Sequence, residues 1–354
     1  MDKQIIELRK ILHNNPERAF KEINTKRIIS EFLKENTNFT VVDKGDYIYA
    51  FKQSKGNPIA FRCDMDGVVE KGDVVKHLCG HDGHCAIVCA LAKKLSTIET
   101  DRDVYLIFQP AEENGQGAKI CCDLIKEKGI NEIYGLHNIP GFEKNTILLK
   151  KGCFACGSVG LKIRYIGKPT HAAYPENGLN PTLSFVELIN QLENLNKHLK
   201  SDNEILMHSY IGLNIGSDYF GVNGYDGYLN ITVRAENQDL FEKYIYQIKQ
   251  EANLLASNNG LRCVIEEFDY FPSTINDDKC VEKVLDHTKQ LKLDYQILSQ
   301  PMRWSEDFGY YLQCCKGCFF GIGDGLNWPG LHTENYSFPD EIIDVALDLF
   351  TSLV

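Results

Sequence analysis

The six residues Cys79-Gly80-His81-Asp82-Gly83-His84 hold a thiol, two imidazoles and a carboxylate, with two glycines among them. Thiolate and imidazole suit zinc, and carboxylate suits manganese, so the cluster has the chemistry of a transition-metal site. Cys79 and His81 alternate, so on an extended turn both side chains face one ion. Glu112-Glu113 is a second pointed feature. Adjacent carboxylates aim in different directions, so one can bind a metal while its neighbour faces the metal's water. A bound metal lowers the pKa of that water to about 7. The free carboxylate can then take the proton and hand it to a leaving amine. The plain alternative for Glu-Glu is a solvated acidic loop. His332, in Gly330-Leu331-His332-Thr333-Glu334-Asn335, reads by itself as a surface histidine. His13 ends a helical pattern, where a cation is favoured, and reads as structural. Cys153/Cys156 and Cys314/Cys315/Cys318 have the spacing of zinc or redox pairs but lie in neither a zinc-ribbon nor a thioredoxin context. Cys121-Cys122 lies on a predicted helix and reads as packing.

These residues need elements to position them. Ile5, Ile6, Leu8 and Leu12 recur at helical spacing, as do Ile28, Ile29, Phe32 and Leu33. Apolar runs at 47–51, 59–61, 104–108 and 133–136 predict strands, with helices over 85–95 and 118–127. Strand–helix alternation implies an α/β fold, a mixed, mostly parallel sheet with helices on both faces. Ligand crevices in such sheets lie beyond the carboxyl ends of the strands. Asp64 and Asp66 follow the run at 59–61, Glu112 and Glu113 follow 104–108, and His137 closes 133–136. Three strands thus deliver acids or a histidine to one edge.

A different order begins near residue 158: strand 159–165, helix 181–199, strands 205–213 and 228–234, helix 240–256, strand 263–268. This β-α-β-β-α-β order matches a ferredoxin-like domain. Helices at 280–291, 307–313 and 339–353 and a strand at 319–322 then resume the first pattern. The expected division is a discontinuous metal-binding catalytic domain, 1–156 and 270–354, with 157–269 inserted as a lid or dimerisation domain. His171 lies just past the first strand of that insertion, in Gly167-Lys168-Pro169-Thr170-His171-Ala172-Ala173.

At 354 residues the chain exceeds what one core usually holds, which also favours two domains. A net charge of −11 offers no basic surplus to neutralise phosphates, so no nucleic-acid partner is expected. An anionic small substrate stays open, because bound dications reverse the local field. The longest apolar run, 85–92, is too short to span a bilayer, and the charged start Met1-Asp2-Lys3-Gln4 is no signal core, so no membrane partner is expected. Thirteen cysteines without a secretory signal suggest a reducing cytoplasm, with most of them acting as small hydrophobes.

Several segments together resemble a known family. They are Leu12-His13-Asn14-Asn15-Pro16-Glu17, Arg62-Cys63-Asp64-Met65-Asp66, Cys79 to His84, Gln109-Pro110-Ala111-Glu112-Glu113, Gly135-Leu136-His137, Gly167 to His171, Ser305-Glu306-Asp307-Phe308 and His332 to Phe338. In this order they resemble the metal-dependent aminoacylase and carboxypeptidase superfamily, in its branch of N-acyl-amino-acid amidohydrolases. The resemblance implies that Cys79, His81, Glu113, His137 and His332 ligate two divalent ions, zinc or manganese. It implies that Glu112 is the general base, that Asp64 orients the site from behind the ligands, and that His171 stabilises the oxyanion, in some relatives across a dimer interface. Asn223 and Arg234 match positions of substrate-carboxylate or dimer contacts. The implied reaction is cleavage of the amide bond of N-acyl, above all N-acetyl, amino acids or short peptides. Gly67-Val68-Val69 replaces the family's Ala-Leu-Pro, the stretch from Asp66 to Cys79 is short, and Asn223-Gly224-Tyr225-Asp226 replaces an Asn-Val-Ile-Pro run. Both segments, the one after Asp66 and the one at Asn223, border the expected pocket, and the departures leave the ligand set intact.

Other classes remain. One is a dipeptidase or carboxypeptidase of the same superfamily, and another a non-catalytic ligand-binding relative. A cysteine hydrolase with Cys79 as nucleophile and His81 as base is a third, although such partners usually meet through the fold rather than two residues apart. A purely structural metal would favour closed tetrahedral sites over a Glu-containing set. A homodimer through the inserted domain is expected, since a four-stranded sheet leaves an edge that can pair.

Overall fold

The computed structural model of the protein describes residues 2–354. Two compact units form. One comprises the chain up to Phe154 with Thr274–Pro301 and Glu306–Val354; the other comprises Ala155–Ser273 with Met302–Ser305.

The first unit is built on an eight-stranded sheet. Its order is Thr40–Asp43, Ile48–Lys52, Val104–Gln109, Ile59–Asp64, Glu132–Pro140, Lys316–Gly325, Ile147–Leu149 and Tyr295–Ile297. The four central strands, Val104–Gln109 through Lys316–Gly325, are mutually parallel. Antiparallel pairs lie on either side of them, and Tyr295–Ile297 runs parallel to Ile147–Leu149 at one edge. Val104–Gln109 and Ile59–Asp64 are buried at every residue, as expected of strands covered on both faces.

Side chains alternate across a strand. Phe61, Cys63, Leu106, Phe108, Leu136 and Phe320 share one core with the helices Lys3–His13, Ile23–Asn36, His81–Leu95, Asp278–Gln290 and Ile343–Leu353. The intervening residues face the helix Gly117–Lys128 and the short helix Gly309–Leu312. Gly135 lies on that second face, where a Cβ would stand 2.6 Å from the Phe308 ring.

Some elements differ from expectation. The helix expected at 85–95 begins at His81, so Cys79 and His81 lie on a bend and a helix start rather than an extended turn. The helix expected over 307–313 is only Gly309–Leu312, and that over 339–353 opens with a 3₁₀ turn, Asp340–Ile342. Thr40–Asp43, Ile147–Leu149 and Tyr295–Ile297 pair as short strands without an alternating pattern to announce them.

The second unit has a four-stranded antiparallel sheet, ordered Leu206–Ile215, Asp226–Ala235, Gly157–Ile166, Arg262–Phe271. In chain order this is second, third, first, fourth. The helices Thr182–Leu199 and Gln238–Asn258 pack on one face over Val159, Leu161, Ile163, Leu229, Ile231 and Val233.

Candidate metal centre and active site

The suggestive residues of the first unit converge on the carboxyl-end edge of its parallel strands. Asp64 is the last residue of Ile59–Asp64, Glu112 and Glu113 follow Val104–Gln109, and His137 lies in the last half of Glu132–Pro140. Two backbone features aim the rest. Gly80 has φ +97°, and a Cβ there would lie 2.2 Å from Asn138 Oδ1, so the turn into the helix needs glycine. Ala111, with φ +54°, takes the left-handed conformation that turns the chain so that Glu112 and Glu113 enter the site. Its N–H donates to the buried Glu22 carboxylate at 2.9 Å.

Cys79 Sγ lies 3.4 Å from His137 Nε2 and 3.2 Å from His332 Nε2. Glu113 Oε1 lies 3.6 Å from His332 Nε2 and 3.8 Å from His81 Nε2. Glu112 Oε2 stands 3.9 Å from His81 Nε2, and Asp64 Oδ2 stands 3.6 Å from the same nitrogen. All the expected ligands therefore meet, in overlapping groups close enough to share ions. His332, which alone reads as a surface residue, is brought in by its own left-handed backbone (φ +60°) and by its N–H donating to Leu78 O at 2.8 Å.

The donor set fits divalent metal on two observations. His81 Nε2 and Glu113 Oε1 are buried and have no hydrogen-bond partner among the described residues, a costly state unless an ion completes it. The acids are also crowded together, and Arg62 pairs with Asp64, Glu306 and Asp307 rather than with Glu112 or Glu113. Burial, reinforced by Glu306, Glu113 and Asp307, holds the Glu112 carboxyl well above its usual range. Burial pushes Glu113 up to about 7. Burial and then Glu113 raise the Cys79 thiol. Burial opposes a charge on His81, but Asp64, Cys79 and Asp66 outweigh it and raise that histidine. His137 is driven well below its usual range by burial and by His84, which leaves a neutral imidazole suited to ligation.

The groups that hold these side chains carry no role in the sequence reading. Asp66, placed at this edge only as one more acid, is the main one. Its carboxylate accepts the N–H groups of Glu112 (3.0 Å) and Glu113 (3.1 Å), and its carbonyl lies 2.8 Å from His81 Nδ1. The orienting bond to His81 thus comes from Asp66, while Asp64 faces the opposite nitrogen. Arg62 is buried and pairs with Asp64, Glu306 and Asp307, each at 2.9 Å. Its signal was an arginine inside an apolar strand, since a buried charge requires partners.

In the second unit, His171 bridges to Val222, and Asn223 donates its N–H to Thr170 O at 2.9 Å, so these two residues are neighbours. Arg234 is not with them. It sits near the far end of Asp226–Ala235, donating to Arg303 O at 3.0 Å and Ser305 Oγ at 2.9 Å. None of the thirteen cysteines is in a disulfide, and among the described residues only Cys79 belongs to a metal-compatible group.

Comparison with known proteins gives the family. The profile of peptidase family M20/M25/M40 matches residues 60–354. Hippurate hydrolase of Campylobacter jejuni is 28% identical, over 98% of this chain and 94% of its own. N-acetyldiaminopimelate deacetylase of Oenococcus oeni is 28% identical, over 96% and 94%. The crystal structure of the Bacillus subtilis YXEP protein, a dinuclear metal binding peptidase, has the same fold, with a TM-score of 0.82 at 24% identity over 99% of this chain and 96% of that one. With the profile spanning most of its length, the chain belongs to peptidase family M20/M25/M40.

Proposed function

We propose that the protein is a metal-dependent amidohydrolase that removes the acyl group from N-acyl amino acids, with N-acetyl amino acids as the first candidates. The observation that carries this reading is the buried Glu112 carboxylate beside a pocket where His81 Nε2 and Glu113 Oε1 lack partners. In this reading Cys79, His81, Glu113, His137 and His332 hold two divalent cations, zinc or manganese. Such cations polarise an amide carbonyl and bring the pKa of water to about 7.

The chain's own residues do the rest. Glu112 takes the proton of the attacking water on its carboxylate and returns it to the departing amine nitrogen. In the metal-free protein, burial and the neighbouring acids hold its carboxyl above the usual range. Asp66 fixes the backbone of both glutamates, and Asp64 sets the His81 side of the pocket. We assign His171 as the oxyanion donor, a role worth about 3 kcal/mol. Asn223 and Arg234 are assigned to the substrate carboxylate or to a subunit contact. The named activities of hippurate hydrolase and N-acetyldiaminopimelate deacetylase support an acyl-amino-acid substrate.

The inserted unit is assigned as lid and dimerisation domain, and a homodimer is part of this proposal. Thirteen cysteines without a disulfide support a reducing, cytoplasmic setting. Among the described residues, no helix is long and apolar enough to cross a membrane.

The test is amine release from a panel of N-acyl amino acids and dipeptides, with manganese or zinc added and again after chelation. Metal-dependent release from the acyl amino acids supports the reading. Release from dipeptides alone would move the assignment to a peptidase. No release at all, with metal stoichiometrically bound, would sink it.

A further inference from the structure

We propose that Asn138 is a positioning residue for the metal pocket, acting through His137 with its backbone and through His84 and Asp64 with its side chain. Asn138 is fully buried. Its carbonyl lies 2.7 Å from His137 Nδ1, so that nitrogen carries the proton and Nε2 is left to face Cys79. Its side-chain Nδ2 donates to Asp324 Oδ2 at 2.9 Å and also contacts the Tyr336 hydroxyl. Those contacts decide which end of the amide faces inward. Oδ1 therefore meets His84 Nε2 at 2.7 Å, closer than the 3.5 Å to Asn138's own N–H.

His84 continues the chain. Its Nδ1 lies 2.7 Å from Asp64 Oδ1, so each ring nitrogen faces a side-chain oxygen, Asp64 on one side and Asn138 on the other. Asp64 is thereby turned with its other oxygen 3.6 Å from His81 Nε2, inside the pocket. Gly80 leaves the space that the Asn138 amide occupies. Asn138 thus meets two pocket groups from different strands, His137 through its carbonyl and Asp64 through its side chain and His84.

The inference rests on the metal-centre reading, and the experiment separates the two. Cobalt(II) binding is measured by competition with a chromogenic chelator and by the visible absorption of the cobalt protein, for wild type, Asn138→Ala and Tyr336→Phe. The expected result is a metal affinity 10–100-fold weaker for Asn138→Ala, the range for loss of a group that orients ligands, with altered cobalt absorption and a smaller change of the same sign for Tyr336→Phe. A residue with a merely structural role would lower the unfolding temperature of the metal-free protein and leave the affinity and spectrum of the folded fraction unchanged, and that result overturns the inference. If Asn138→Ala does not fold, Tyr336→Phe decides, and a wild-type affinity there overturns it. Failure of the wild type to bind cobalt stoichiometrically overturns the metal-centre reading itself, and this inference with it.

Discussion

Glu112 and Glu113 share a turn, a pair of backbone anchors on Asp66 and a buried setting, yet they are assigned different work. That division is testable at each residue. Glu112→Gln keeps the size of the side chain and removes its basicity. Metal content should stay at the wild-type value while kcat falls by about 10²–10⁴, the range for a positioned acid–base group. Metal analysis alongside turnover checks it, and loss of metal would make Glu112 a ligand instead. Glu113 predicts a pH effect. In the metal-free protein its carboxyl is raised to about 7, so below that pH it holds a proton that an ion must displace. Zinc affinity should therefore fall as pH drops through 7. Calorimetry in buffers of different ionisation enthalpy should count about one more proton released at pH 6 than at pH 8.5. An unchanged count would remove Glu113 from the ligand set. The residues visible in the sequence were those of rare type and tight spacing: Cys79, His81, the paired glutamates and His137. Asn138 was not, and Asp66 was legible only as an acid at that edge and not in its role, because both work through contacts to ordinary backbone groups that any loop aspartate or asparagine can make.

Among elements, the parallel strands and their helices were legible because both-face burial writes continuous apolar runs, as in Val104–Gln109. The edge strands were not. Every residue of Tyr295–Ile297 is exposed, and its pairing depends on where Ile147–Leu149 lands after folding. The second helix shows a subtler tertiary effect. Glu22 precedes it but caps nothing; Glu17 instead receives the N–H groups of Asn24 (3.1 Å) and Thr25 (2.8 Å). Glu22 is thereby free to hold Ala111, at the head of the turn that carries Glu112 and Glu113. Burial, then Asp66, raises its carboxyl to about 7. A raised acid favours the folded state fully below its ordinary value near 4.5, and that contribution is lost as pH rises through 7. Glu22→Gln keeps an acceptor for Ala111 and does not titrate. Urea unfolding of the metal-free protein should show the variant gaining on wild type between pH 5 and 8, by up to about 3 kcal/mol. A difference constant with pH would mean that Glu22 carries no such burden.

At the scale of the molecule, the second unit's sheet has two edges, one of them more heavily charged. Arg262–Phe271 carries Arg262, Glu266, Glu267 and Asp269, the kind of charged edge that resists pairing. Leu206–Ile215 has one neighbour only, and Ile211 (64% exposed) and Leu213 (47%) lie on it. On the helix Thr182–Leu199, Leu183 (79%) and Val186 (50%) are exposed as well. Which strand would be the apolar edge was hidden in the sequence, because alternation marks strands and says nothing of the order second, third, first, fourth. An uncovered edge with apolar side chains invites strand addition. A second copy is the occupant we propose, because the same strand meeting itself antiparallel about a two-fold axis closes the contact and leaves no further edge to grow from. Light scattering should then give twice the chain mass of 40.2 kDa. Leu183→Glu combined with Ile211→Lys puts charges of both signs into that contact without touching the buried core. The double variant should elute as a monomer with unchanged helix content by circular dichroism. A monomeric wild type at tens of micromolar would remove the edge from the interface, whereas a dimer that survives both substitutions would move the interface to another face of the protein.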